Sequence, residues 1–150
     1  MDISSEKLKE LIKAALLELA ADSGEDFQKE VDPSGVIRIV TSTVKTERMD
    51  TGNPNDYVGT KDILTLEESP RLGCGIMELD HTTFPWTLKY DECDYIIEGT
   101  LDILIDGRRI RGQKGDIIHI PANSSIAFST PDFVRAAYCT YPANWAEISE

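Results

Sequence analysis

The chain is poor in histidine, with only His81 and His119 among its 150 residues. A transition-metal centre built on several imidazoles therefore cannot be assembled from it. Cysteine is sparse too: Cys74, Cys93 and Cys139 are odd in number and widely scattered. That spacing excludes a sequence-local zinc site and reads as thiols packed in strands. No apolar run approaches the roughly 20 residues of a bilayer span. The N-terminal MDISSEKLKE lacks the basic and apolar regions of a leader, so a cytoplasmic protein with no membrane partner is expected. Positive charge is scarce, 15 Lys and Arg against 27 Asp and Glu, for a formal net charge of −12. Nucleic acid and anionic membranes carry the same sign, which excludes them as partners through long-range repulsion. No glycine-rich loop followed by Lys and Ser or Thr is present, which excludes a P-loop. Repeats and low-complexity segments are lacking as well.

What is present is one globular domain's worth of chain, 41% hydrophobic, enough for a single sizeable core. Residues 84–128 pack several short β-patterned runs and their turns together. Asp106-Gly107 lies between LDILI and RRIRG, a strong hairpin signal because both turn residues must tolerate positive φ. Gly99, Gly112, Gly115 and Pro121 break the remaining runs. Strands this short and this frequent predict an all-β sandwich or barrel. Ahead of them, Leu8, Leu11, Ile12, Ala15, Leu16 and Leu19 recur at three- and four-residue intervals. This spacing predicts an amphipathic helix within residues 1–24, capped by Ser4 or Ser5 and stopped at Asp22-Ser23-Gly24. The helix either packs on the β-core or docks in a partner's groove. Residues 25–35 are polar and acidic with Pro33 and Gly35, as a linker would be, leaving 36–150 as the single β-domain. Within that domain VIRIVTSTV, KDILTL, LGCGIMEL, DIIHI and the run from Phe133 to Tyr141 are further strand candidates. Gly73 and Gly75 suggest close backbone approach or a bulge.

Glu92-Cys93-Asp94-Tyr95-Ile96-Ile97-Glu98-Gly99, followed by Gly115 and Pro121, resembles the two motifs of the cupin superfamily. The resemblance implies a jelly-roll barrel. Cupins that bind metal place two histidines before the glutamate and one in the second motif. Here those positions fall on Pro85 and Thr87, or in the shorter spacing on Trp86 and Leu88, with the third near Ile126. Only Glu92 is retained. In place of the imidazoles stand Phe84, Trp86, Thr87, Tyr90 and Asp94, aromatic and acidic together, with His119 joining them if its strand alternates inward. Large aromatics with a few polar tips suit a small-ligand cavity. They serve a filled core equally well. A carboxylate deep among them would have its charged form disfavoured and be suited to proton transfer or cation binding.

VDPSG at 31–35, LTLEESPRLGCGIMEL at 64–79, WTLKYDECDYIIEGTLDILIDGR at 86–108 and YPANW at 141–145 resemble the ethanolamine-utilisation Q family (EutQ). The resemblance implies a homodimeric cupin without a tightly bound transition metal, associated with bacterial microcompartments and acting as an acetate kinase on ATP and acetate. Phosphoryl transfer needs cations around the phosphates. Arg71, Lys89, Arg108, Arg109, Arg111, Lys114 and Arg135 are available, and Glu92 with Asp94 offers carboxylates to Mg²⁺. Three readings stand: a kinase with Glu92 as the catalytic residue, a non-catalytic assembly or small-molecule-binding protein recruited to shell or enzyme partners through its N-terminal helix, and a metal enzyme on His119 and Glu92. VIRIVTSTV is a candidate for the dimer contact.

Overall fold

The computed structural model describes residues 4–21 and 26–149 and divides into two compact units at Val44 and Lys45. In the first unit, helix α1 runs Ser5–Ala21. Its first turn is capped as the sequence predicts, the Ser4 hydroxyl accepting from the Lys7 amide at 3.3 Å. The expected stop at Asp22-Ser23-Gly24 lies outside the described residues. Strand β1, Lys29–Val31, pairs antiparallel with β2, Ile37–Ile39, and so falls inside the stretch read as a linker. The turn between them closes because Asp32 accepts from the Ser34 amide at 2.8 Å and Gly35 takes φ +91°. The strand expected over VIRIVTSTV ends at Ile39 and becomes a 3₁₀ turn at Thr41–Thr43. There Thr43 donates its hydroxyl to the Val40 carbonyl at 2.7 Å and accepts from the Gln28 amide at 2.9 Å. Side-chain bonds of this kind compete with a strand ladder.

The second unit is built from β3 (Glu47–Arg48), β4 (Val58–Asp62), β5 (Gly73–Asp80), β6 (Thr83–Leu88), β7 (Asp91–Ile105), β8 (Arg108–Gln113), β9 (Ile117–Ile120), β10 (Ser124–Ser129) and β11 (Phe133–Tyr141), followed by the short helix α2 (Trp145–Ile148). All pairings are antiparallel, in the order β3-β4-β5-β11-β7-β10-β6, with β8 and β9 also paired to β7. Strand β4 starts at Val58, ahead of the KDILTL run, which leaves the sheet after Asp62.

The long strand β7 organises the unit. Its first half pairs with β11 and β9, its second half with β10 and β8. The break between the halves is Gly99, at φ +82°, where an added Cβ would sit 1.9 Å from the Phe133 carbonyl oxygen. Only glycine fits both the backbone angle and the approach. The register with β11 also slips beside it, between Arg135 and Ala136, and such a bulge bends a strand. One strand thereby contributes to both layers of an antiparallel jelly roll. The predicted hairpin closes β7 onto β8 with Asp106 at φ +49° and Gly107 at φ +72°. The core between the layers includes Leu79, Leu88, Ile96, Leu101 and Val134, each fully buried. Each such side chain contributes about 1.5–3 kcal/mol by leaving water. No helix among the described residues is long and apolar enough to cross a membrane.

Candidate functional site

Alternation along β7 turns Glu92, Asp94 and Ile96 into the interior and leaves Asp91, Cys93 and Tyr95 outside. Glu92 is 6% exposed and Asp94 is not exposed at all. Two carboxyl groups thus lie on the inner face of one strand, two residues apart. Across β6 the inward residues are Phe84, Trp86 and Leu88, whereas Pro85 and Thr87 face out. Of the two spacings, the shorter therefore points inward, and the three imidazole positions are occupied by Trp86, Leu88 and Ile126. Indole and aliphatic side chains offer no donor to a transition metal, so the residues present do not fit one.

Glu92 borders a cavity of about 20 Å³, room for little more than one water-sized group. Phe84, Trp86, Tyr90 and Phe128 line it with Met49, Thr60, Met77, Tyr138 and Trp145. The Phe84 and Phe128 rings stack at 5.5 Å. The polar tips of the aromatic wall are used among themselves. Trp86 donates its indole N–H to the Tyr90 oxygen at 2.9 Å. Asp62 accepts from the Tyr138 hydroxyl at 2.6 Å and from the Trp145 indole at 3.1 Å. Gly75 makes room for this arrangement, because a Cβ there would overlap the Tyr138 ring at 2.1 Å. This is the close approach expected of the Gly73 and Gly75 pair.

The tyrosines thus bond elsewhere and leave the acids to each other. Apart from the contact between the two carboxyls, neither Asp94 oxygen, nor the Thr140 hydroxyl that lies in register with Glu92, has a hydrogen-bond partner among the described residues. Burial pushes the Glu92 carboxyl well above the usual carboxylate range, and the neighbouring Asp94 charge adds to this. Burial raises Asp94 as well, against an opposing contribution from its contact with Glu92. A pair of this kind retains a shared proton where ordinary carboxylates have lost theirs. Tyr90 and Tyr138 are raised too, chiefly by burial, and so remain protonated donors.

Of the residues singled out in the sequence, Phe84, Trp86, Tyr90 and Glu92 meet at the cavity, and Asp94 lies buried beside Glu92 on the same face. Thr87 does not join them: it is exposed and faces Ser125 at 3.1 Å on the outside of the sheet. His119 is likewise exposed on the outer face of β9, where it opposes Cys93. Lying on opposite faces of paired strands, His119 and Glu92 cannot share a metal. Among the described residues no three His, Cys, Asp or Glu side chains are placed to hold one. Four of the seven expected cations pair with carboxylates elsewhere. Arg111 makes a two-pronged bond to buried Asp102, 2.8 Å on each arm, which holds that carboxyl below its usual range. Arg109 lies 3.8 Å from the same carboxylate, Arg108 pairs with Asp106, and Arg135 pairs with Glu78. The cysteines, scattered in sequence, are neighbours in space: Cys139 opposes Cys74 on one side and Cys93 on the other.

An antiparallel jelly roll whose interior site hangs on the glutamate of its long shared strand is a cupin. The fold recurs in a cupin superfamily protein of Desulfitobacterium hafniense, at 16% identity and a TM-score of 0.54 over 69% of this chain and 87% of that one. Within the cupins, the chain belongs to the family described as ethanolamine utilisation protein EutQ, whose profile matches residues 3–147. A Clostridioides difficile relative named acetate kinase EutQ is 58% identical over 124 residues, 81% of this chain and 79% of the relative. The solved structure of the Clostridium difficile EutQ protein superposes with a TM-score of 0.80 over 81% of this chain and 91% of that one. A Salmonella typhimurium acetate kinase EutQ is 38% identical over 81% of this chain, which spans only 53% of that relative's length.

Proposed function

We propose that this chain is an acetate kinase that works at the Glu92 cavity. One observation carries the reading: a buried carboxyl pair, Glu92 and Asp94, whose ionisation burial disfavours, stands beside a small cavity walled by aromatic and methionine side chains. Glu92 in its protonated form donates to one acetate oxygen, and Phe84, Met49 and Met77 offer the methyl group an apolar wall. The other acetate oxygen attacks the γ-phosphorus of ATP, the bond to the bridging oxygen breaks, and ADP leaves. ATP is too large for a cavity of about 20 Å³, so its phosphates, carried with Mg²⁺, stay at the mouth. The names of the two relatives support this chemistry. The test is acetyl phosphate formation from acetate and Mg·ATP by the purified chain, trapped as the hydroxamate. Glu92→Gln should lower the rate at least about 100-fold, in the range that loss of a positioned proton donor produces. An unchanged rate would remove Glu92 from the site, and an inactive wild-type chain would remove the kinase.

A second reading concerns recruitment. Leu8, Leu11 and Ile12 lie on one face of α1 and are about half exposed, at 50%, 53% and 51%. On this reading the chain is a homodimer held in an ethanolamine-utilisation microcompartment, with α1 as the segment that docks on a shell or enzyme partner.

A further inference from the structure

The outer face of the first layer carries a row of reactive side chains. Strands β5, β11, β7 and β9 bring Cys74, Cys139, Cys93 and His119 side by side in direct register. Alternation explains why all four share a face: their neighbours Thr140, Glu92 and Asp94 turn inward. The Sγ atoms of Cys74 and Cys139 stand 3.8 Å apart. Directly opposed residues of antiparallel strands have Cα separations of about 4.5–5.5 Å, inside the roughly 4.4–6.8 Å that a disulfide spans. Rotation of the side chains alone can therefore close the bond. Both sulfurs are half-buried and Cys93 is exposed.

We propose that Cys74 and Cys139 form a reversible dithiol–disulfide pair on the outer face of the barrel, with small-molecule disulfides as the oxidant. The two sulfurs share a hydrogen bond at 3.8 Å, and Cys139 is the attacking thiol, because its thiolate, once formed, accepts the S–H of Cys74 and is stabilised there. This bond pulls the Cys139 thiol down to about 6 and pushes Cys74 up. In the first step the Cys139 thiolate bonds to one sulfur of RS–SR, the S–S bond breaks, and RS⁻ leaves to take a proton from water. In the second, Cys74 loses its proton to water and attacks Cys139 Sγ, which expels the remaining RS⁻. The sum is a protein dithiol and RSSR giving a protein disulfide and two RSH. The bond would tie β5 to β11 directly beside Tyr138 and Thr140, two residues of the inner wall.

The experiment uses the full reduced chain and glutathione redox buffers of increasing disulfide fraction, quenched in acid and mapped by peptide mass spectrometry. The expected product is a single Cys74–Cys139 cross-link that dithiothreitol reverses and that still forms in Cys93→Ser. Cys74→Ser should halt at a glutathione mixed disulfide on Cys139. In Cys74→Ala, which also removes the donor, iodoacetamide labelling of Cys139 at pH 7 should slow by roughly tenfold or more as the thiolate is lost. A cross-link that includes Cys93, or glutathione on Cys93 with Cys74 and Cys139 still free at every ratio, overturns the proposal. The wild-type map decides without any variant having to fold.

Discussion

Asp94→Asn tests the shared proton directly. Two positions along a strand separate the Glu92 and Asp94 Cα atoms by roughly 6.6 Å, and the carboxyls, in contact with each other, stand closer than that. At an effective dielectric constant near 20, two negative charges at even the longer distance repel by about 2.5 kcal/mol, equivalent to about two pH units of delayed ionisation. Both folded-state carboxyls are raised, and this fixes the sign. Below about pH 3 the pair is protonated in the folded and the unfolded chain alike. As pH rises the unfolded carboxyls ionise first while the folded pair keeps its protons. Stability therefore falls with pH, by about 1.4 kcal/mol per pH unit for each proton retained, until the folded pair has ionised. Asp94→Asn keeps the volume, removes one charge and ends that window earlier. Urea unfolding at pH 5, 6, 7 and 8 is the assay, with m-values compared so that only midpoints carry the result. The stability of the variant relative to wild type should rise by at least about 2.5 kcal/mol between pH 5 and pH 8. The absolute offset at pH 5 is not diagnostic, because a buried amide brings its own unmet bonds. Parallel stability curves across this range would refute the shared proton.

Two further outcomes are expected. Gly99→Ala should cost about 3 kcal/mol or more, since a side chain at φ +82° is strained by about 1–2 kcal/mol and the Cβ meets backbone at Phe133 that cannot rotate away. A loss under about 1 kcal/mol in urea unfolding would show that β7 can bend without glycine. Replacing Leu8, Leu11 and Ile12 together by Glu should leave the unfolding midpoint of the barrel unchanged and abolish co-purification with ethanolamine-utilisation shell proteins. Co-purification at the wild-type level would remove α1 as the recruiting segment.

The parts of this molecule that were legible in the sequence are those decided locally. Asp106-Gly107 specifies its own turn, and the β7 run alternates clearly enough to place Glu92, Asp94 and Ile96 together. Thr87 and His119 were assigned to the interior because strand phase was not legible there. Alternation reverses with a one-residue shift, and Ile117, Ile118 and Ile120 around His119 supply apolar residues on both faces. The tips of the aromatic wall were out of reach for another reason. Met49, Met77, Tyr138 and Trp145 reach the cavity through strand pairings between distant parts of the chain. The same holds for the thiol row: Cys74 and Cys139 are 65 residues apart and 3.8 Å apart. The linker reading failed at β1 because a three-residue strand is too short to show a period.

Replacement of the imidazoles has a consequence for the one ligand that remains. In a metal-holding cupin the glutamate's negative charge is balanced by the cation it binds. Here the indole of Trp86 and the side chains of Leu88 and Ile126 stand at the histidine positions, and the cavity beside Glu92, which Trp86 lines, is only about 20 Å³. Glu92 keeps its place, while Arg111, Arg108 and Arg135 are engaged with Asp102, Asp106 and Glu78. An isolated buried carboxylate is too costly to persist, so neutralisation by a proton is the available alternative. Asp94, buried in contact with it, makes double ionisation costlier still and so strengthens the hold on that proton. Loss of the metal ligands thus converts the cupin glutamate from an anionic ligand into an acid. On the proposed reading, a protonated carboxyl in this cavity favours reactants that are small and able to accept a hydrogen bond, a description that a short carboxylate fits and a nucleotide does not.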